Sequence, residues 1–151
     1  MNVHYQHRQI GWVMLVMGGL PLLALIVFAI YLGLRGSLQP AIILFLAALP
    51  LAASLVFFSS MTVEVSDVAL TWYFGPHFWK NTLPLSEIKT AASIRTKWYW
   101  GYGIKVFGPN RWLYNVSGTE AVEVRGDSDG WIRIGTDDPA GLLKALSVHV
   151  V

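Results

Sequence analysis

The sequence predicts a membrane-embedded α-helical hairpin joined to a mainly-β domain that one C-terminal helix closes. Three observations lead there. Residues 11–58 carry a single charge, Arg35. After Met61 apolar residues alternate with polar ones in short runs separated by turn residues. Beyond Thr136, Leu142, Leu143 and Leu146 recur at helical spacing.

Residues 1–10, MNVHYQHRQI, form a short polar lead. It reads as an interfacial segment, with Tyr5, Arg8 and Trp12 as headgroup-level anchors and Tyr31 as an anchor near the other end of the first span. His4 and His7 are three apart and would share one face of a helix. Two histidines fall short of the three or four ligands that zinc takes.

Gly11–Leu34 is an apolar run of 24 residues, and Pro40–Phe58 is a second of 19. As helices they measure about 36 and 28 Å. A hydrocarbon core of about 30 Å needs about 20 such residues. Backbone groups in lipid must be paired internally, so each run is expected to be helical. The first run exceeds a signal-peptide core of ~7–15 residues and a second span follows, so it reads as a retained span. Pro21 and Pro50 lie inside the spans, where proline is tolerated with a kink. Gly18, Gly19, Ala47–Ala48 and Ala52–Ala53 offer small surfaces for packing the two helices on each other. Neither span holds an ionisable residue, which argues against an ion path or proton relay. Arg8 and Arg35 balance across the membrane; the amine and the short loop tip the expected orientation towards both termini inside.

Strands are expected at 62–66, 69–75, 78–85, 88–96, 103–108, 111–116 and 121–125, with an eighth at 131–135. Gly-Pro-Asn, Ser-Gly-Thr and Gly-Asp-Ser-Asp-Gly separate the later ones. Leu70, Trp72 and Phe74 fall on one face. About seven short strands at this spacing imply an antiparallel sandwich or barrel. Thr136 or Asp137 is the expected cap of the final helix, with Pro139 in its first turn. The expected organisation is therefore a lead at 1–10, a hairpin at 11–60 with spans 11–34 and 40–58, and a β domain at 61–151.

This order of elements resembles the bacterial pleckstrin-homology-like (bacterial PH) membrane proteins, in particular short two-span members. The similarity lies in the first β-hairpin, Val63–Phe74, the corner LPLSEI at Leu83–Ile88, and the closing RIGTDDPAGLLKAL at Arg133–Leu146. The stretch WYWGYGIKVFGPNRWLYNVSG, residues 98–118, is also similar. The resemblance implies a PH-like bent antiparallel sheet closed by the C-terminal helix. It also implies a bacterial inner membrane with the domain and both termini on the cytoplasmic side. It brings no catalytic residues. Phosphoinositide pockets of eukaryotic relatives use Lys and Arg in the first hairpin; residues 62–75 contain neither, and the nearest is Lys80. Specific phosphoinositide binding is therefore not expected.

The strongest candidate for a contact surface is Trp98, Tyr99, Trp100 and Tyr102, followed by Phe107, Trp112 and Tyr114. A small sheet cannot bury all of these on one face, and amphipathic aromatics suit a membrane interface or a binding surface. The expectation is a mixture: a loop at 98–102 touching lipid or a partner, and Trp100, Phe107, Trp112 and Tyr114 as core and cross-strand pairs. Gly101 and Gly103 allow a bent start to the next strand. Asp127-Ser128-Asp129-Gly130 lacks the remaining ligands of a calcium loop and reads as a hairpin turn.

Composition narrows the function classes. All 9 acids and 9 of the 11 basic residues lie after residue 60, so the domain is neutral. No basic cluster points to nucleic acid. Cysteine is absent, which excludes disulfides and thiolate chemistry. The domain's histidines are His77 and His149, and no nucleophile elbow or phosphate-cradling loop occurs. The expectation is a non-enzymatic membrane-anchored module without a cofactor. It would bind a protein partner or itself, serve as a lipid-surface sensor, or act as an accessory subunit of a transport or envelope system.

Overall fold

The computed structural model describes residues 2–147, so His149 lies outside the described residues. Strand β1 (Val3–Ile10) comes first, then helices α1 (Trp12–Leu34) and α2 (Leu38–Phe58). Next come β2 (Ser60–Ser66), β3 (Ala69–Phe74) and β4 (Phe78–Pro84). A helical turn at Leu85–Glu87 leads to β5 (Thr90–Arg95). Another at Trp98–Trp100 leads to β6 (Gly103–Gly108) and β7 (Arg111–Asn115). The chain ends in β8 (Glu120–Arg125), β9 (Trp131–Gly135) and α3 (Pro139–Ser147).

Both hairpin helices are long and apolar enough to cross a membrane, and only 6% of each apolar window is buried within the protein. Leu20, Phe28, Ile42 and Phe45 lie open along them. So large an open apolar surface is consistent with a lipid setting. Where the two helices meet, the residues are small. Ala29 and Ala48 are buried, and a Cβ on Gly18 would lie 2.6 Å from the Leu55 side chain. The hairpin bend is a glycine cap: Gly36 has φ +80°, Gly36 N–H donates to Gly33 O, and Ser37 N–H donates to Leu32 O. α2 begins two residues before Pro40, which occupies its first turn and costs no internal hydrogen bond.

The lead is a strand. Val3–Ile10 pairs antiparallel with β2, from Val3 opposite Ser66 to Ile10 opposite Ser60. This corrects its separation from the domain: the β domain is assembled from chain on both sides of the hairpin. His4 and His7 consequently fall on opposite faces of β1. They do not meet; His4 contacts Asp67, and His7 Nε2 lies 2.5 Å from Asp137 Oδ1.

There are two sheets, where one bent antiparallel sheet of about seven strands is the expectation. The first is antiparallel, in the order β1-β2-β3-β4. The second has the order β5-β8-β9-β7-β6. Within it β9 lies between β8 and β7, antiparallel to the former and parallel to the latter. Such insertion is set by long-range packing, which period-two alternation does not encode.

The core lies between the sheets. Met61, Val63, Leu70, Trp72 and Phe74 face Tyr114, Val122, Val124 and Ile134, and Leu142 and Leu146 of α3 cover one side. Asp138 caps α3, one residue later than expected: its Oδ1 accepts from Gly141 N–H at 2.9 Å, and its carbonyl accepts from Leu142 N–H. Pro139 holds the first helical position, which makes the residue before it the cap. Tyr5 Oη–H donates to Asp138 Oδ2 at 3.2 Å, so β1 also positions the start of α3.

Candidate functional site

The helix–sheet joint is tight. One residue, Gly11, separates β1 from α1, and one, Ser59, separates α2 from β2. Gly11 N–H donates to Ser59 O at 2.6 Å, closing the two joints on each other. A Cβ on Gly11 would lie 2.7 Å from Val116 O, and Gln9 Nε2 donates to Ser117 O. The β7–β8 loop thus lies against the start of the helices. The β3–β4 turn does the same on the other side. Gly75 has φ +46°, and a Cβ there would lie 2.6 Å from Val56 O. Phe78 packs on Phe57 and Phe58 at 4.6 and 5.4 Å between ring centroids.

Beside this joint a pocket opens between the last turn of α2 and the outer face of the first sheet. It is lined by Arg8, Ser59, Ser60, Thr62, Tyr73 and His77, among others. Arg8 Nη2 donates to Ser60 Oγ, and His77 stacks on Tyr73 at 4.2 Å. Tyr73 Oη–H donates to Glu64 Oε1 at 2.8 Å. Burial foremost, then this carboxylate, pushes the Tyr73 hydroxyl above its ordinary pKa. No sequence signal marks this pocket, because Arg8 and His77 lie far apart in the chain and come to one pocket only through strand pairing.

The aromatic stretch divides. The loop starts at the helix-proximal end, where Thr96 N–H and Oγ1–H both donate to Thr119 O. It then folds back over the outer face of the second sheet. Trp98 is 82% exposed and Tyr99 60%. Trp100 turns inward onto Phe107 at 4.7 Å, and Phe107 meets Trp131 at 5.6 Å. The Arg133 guanidinium lies 3.8 Å from the Trp131 ring centroid and 5.5 Å from that of Trp100. Tyr102 is half-buried. Tyr114 belongs to the core, in edge contact with Trp72 at 5.3 Å, and Trp112 stacks beside it. Burial raises the Tyr114 hydroxyl pKa. Of the other aromatic candidates, Trp12 and Tyr31 are exposed on α1, whereas Tyr5 is half-buried against Asp138.

On the same outer face Glu123 is buried and accepts from Arg133 Nε and Arg125 Nε, both at 2.6 Å. Burial pushes its carboxyl up, and the two arginines outweigh that and hold it below the ordinary carboxylate range. Asp67 is also held low, first by its hydrogen bond with His4.

A cleft of about 490 Å³ separates the Leu85–Glu87 corner from the β8–β9 hairpin, bordered by Glu87, Asn110, Asp127 and Ser128. A neighbouring groove of about 320 Å³ lies between β4 and the inner face of the second sheet. The two share Leu83, Trp112 and Ile132. Asp127–Gly130 is the tip of the β8–β9 hairpin. Among the described residues no three His, Asp or Glu side chains converge as a metal site would require.

Comparison with protein-family models, with curated proteins and with solved structures finds no match.

Proposed function

We propose that this chain is a non-enzymatic, membrane-anchored interaction module. Its PH-like domain is held at the cytoplasmic face of a bacterial inner membrane, where it binds a protein partner or a second copy. The observation that carries this reading is the double joint. Gly11 and Ser59 each leave a single residue between helix and strand, and both strands enter one sheet. A domain tied this way cannot swing away from the membrane, so its surfaces are concentrated there. Cross-linking the full chain in native membranes and co-purifying it from mild detergent tests the reading. A specific cross-linked species is expected, and a lone monomer under every condition sinks it. Reporter fusions at the C-terminus test the orientation; activity on the periplasmic side would overturn it.

A lipid-surface sensor is the second reading. It is supported by the exposed Trp98 and Tyr99 on a loop that starts at the helix-proximal end, and by the pocket that holds Arg8 and His77 beside α2. Quenching by brominated lipids around the reconstituted full chain separates the two. If Trp98→Phe removes no quenched component of the tryptophan emission, the aromatic loop does not touch lipid.

A further inference from the structure

We infer that the groove along the free edge of β4 is a docking site for an extended peptide segment, carrying a basic residue, of a partner protein. The inference rests on the interaction-module reading and names where the partner binds.

Four observations lead to it. First, β4 ends its sheet: among the described residues β3 is its one neighbour. The outward backbone groups of an edge strand are a template for another strand. Second, that edge borders an apolar trough walled by Trp79 and Leu83 of β4 and by Trp112 and Ile132 of the second sheet. Third, Trp72 lines the same trough and is 2% exposed, yet its indole N–H has no acceptor among the described residues. A buried donor left unpaired is costly, so the floor of the trough gains from any acceptor that rearrangement on peptide binding brings to it. Fourth, the trough continues through Leu83, Trp112 and Ile132 into the cleft bordered by Glu87 and Asp127. No Lys or Arg lines that cleft. Asp127 lies 3.7 Å from Lys89, whereas Glu87 has no ion-pair partner among the described residues. A basic side chain on the incoming segment complements that end.

Two features select a short segment over a second copy of β4. Trp79 has φ +51°, which breaks the strand at one end, and Pro84 lacks an N–H at the other. What remains is the stretch Lys80–Leu83. It carries Lys80, a residue type that discourages edge-to-edge pairing between identical strands.

The test uses the full chain in lipid nanodiscs and a displayed library of short random peptides. Enriched peptides are expected to alternate apolar residues and to carry Lys or Arg at one end. Glu87→Lys is expected to weaken the best peptide about tenfold. N-methylation of that peptide at alternate amides should abolish binding in one register and spare it in the other, and this readout requires no change to the protein. Amide exchange across 80–83 should slow when the peptide is added. Acidic enriched peptides, or indifference to both Glu87→Lys and N-methylation, would overturn the proposal. Protection of 80–83 that rises with protein concentration alone would assign the edge to a second copy and overturn it as well. Failures are distinguishable: partner cross-links that persist in Glu87→Lys and without protection of 80–83 sink the groove and leave the interaction module standing. Peptide binding by a chain that never cross-links does the reverse.

Discussion

The two sheets differ in what their outer faces do. In the first, β3 is buried on both faces and β2 nearly so. Its inner residues pack in the core. Its outer ones are closed over by polar contacts, with Gln6 Nε2 and Tyr73 Oη both donating to Glu64 Oε1. In the second sheet the outer face carries an ionic centre on Glu123 and an aromatic loop that leaves Trp98 and Tyr99 open. The first sheet receives both long apolar helices; the second is joined to the helices through loops. The result is a division of labour. The β2–β3 pair that carries the helices is closed over, whereas β4 at one edge of the same sheet and the outer face of the second sheet stay open.

The largest effect belongs to the first sheet. Phe74 is fully buried and touches Phe58 of α2 on one side and Tyr114 of the second sheet on the other, at 5.7 and 6.3 Å. Phe74→Ala is expected to cost about 3–5 kcal/mol by thermal unfolding in detergent. Loss below about 1 kcal/mol would mean that the sheets and the anchor are not joined through this ring. Next comes Gly75→Ala. The new Cβ meets Val56 O and Phe57 O at 2.6 and 2.9 Å, and φ is positive. A cost of about 2 kcal/mol is expected, from the clash together with the left-handed backbone. Gly36→Ala shares the positive φ but has open space around the position, so it isolates the backbone contribution at about 1 kcal/mol.

The elements on either side of this division are largely legible in the sequence, and the division into two sheets is not. The hairpin is plain because lipid leaves a chain few options. The strands from Met61 onward can be placed because alternation and Gly-rich turns are local signals. β1 escapes for a physical reason. VHYQHRQI has little apolar content, since its residues contact Asp67, Asp137, Asp138 and Glu64 more than the core. Its partner strand also lies beyond the whole hairpin. The place of β9 between β7 and β8 is likewise a tertiary choice. In the aromatic stretch, the excess of rings over available core means that some must be exposed. Which ones depends on Trp100 finding Phe107 and Arg133, partners on two other strands. The groove beside β4 leaves no trace, because Trp72, Leu83, Trp112 and Ile132 each read as ordinary inward positions.

Glu123 tests the second sheet at intermediate strength. Its folded pKa is depressed, so its contribution is fully present above the unfolded value and is lost as pH falls through the folded one. Glu123→Gln removes the charge that Arg133 and Arg125 share and is expected to cost about 1–2 kcal/mol near neutral pH. The melting-temperature gap between the two proteins should close as pH drops below about 4. A gap that persists unchanged well below that acidity would mean that the carboxylate adds packing and no net electrostatic stability.

Trp98 gives the smallest effect on stability and the most direct test of the division. Its indole is the most exposed of the aromatic candidates, and its ring contact is with Tyr99, itself exposed. Trp98→Ala should therefore change unfolding by no more than about 0.5 kcal/mol. Trp100→Ala, in the same helical turn, strips a ring from Phe107 and Arg133 and should cost about 1 kcal/mol or more. If the second sheet holds Trp98 out for contact, Trp98→Ala will reduce cross-linking yield or lipid quenching while the melt stays in place. Should Trp98→Ala cost as much as Trp100→Ala, the loop is structural throughout, and the outer face of the second sheet is closed by its own packing as β2 and β3 are.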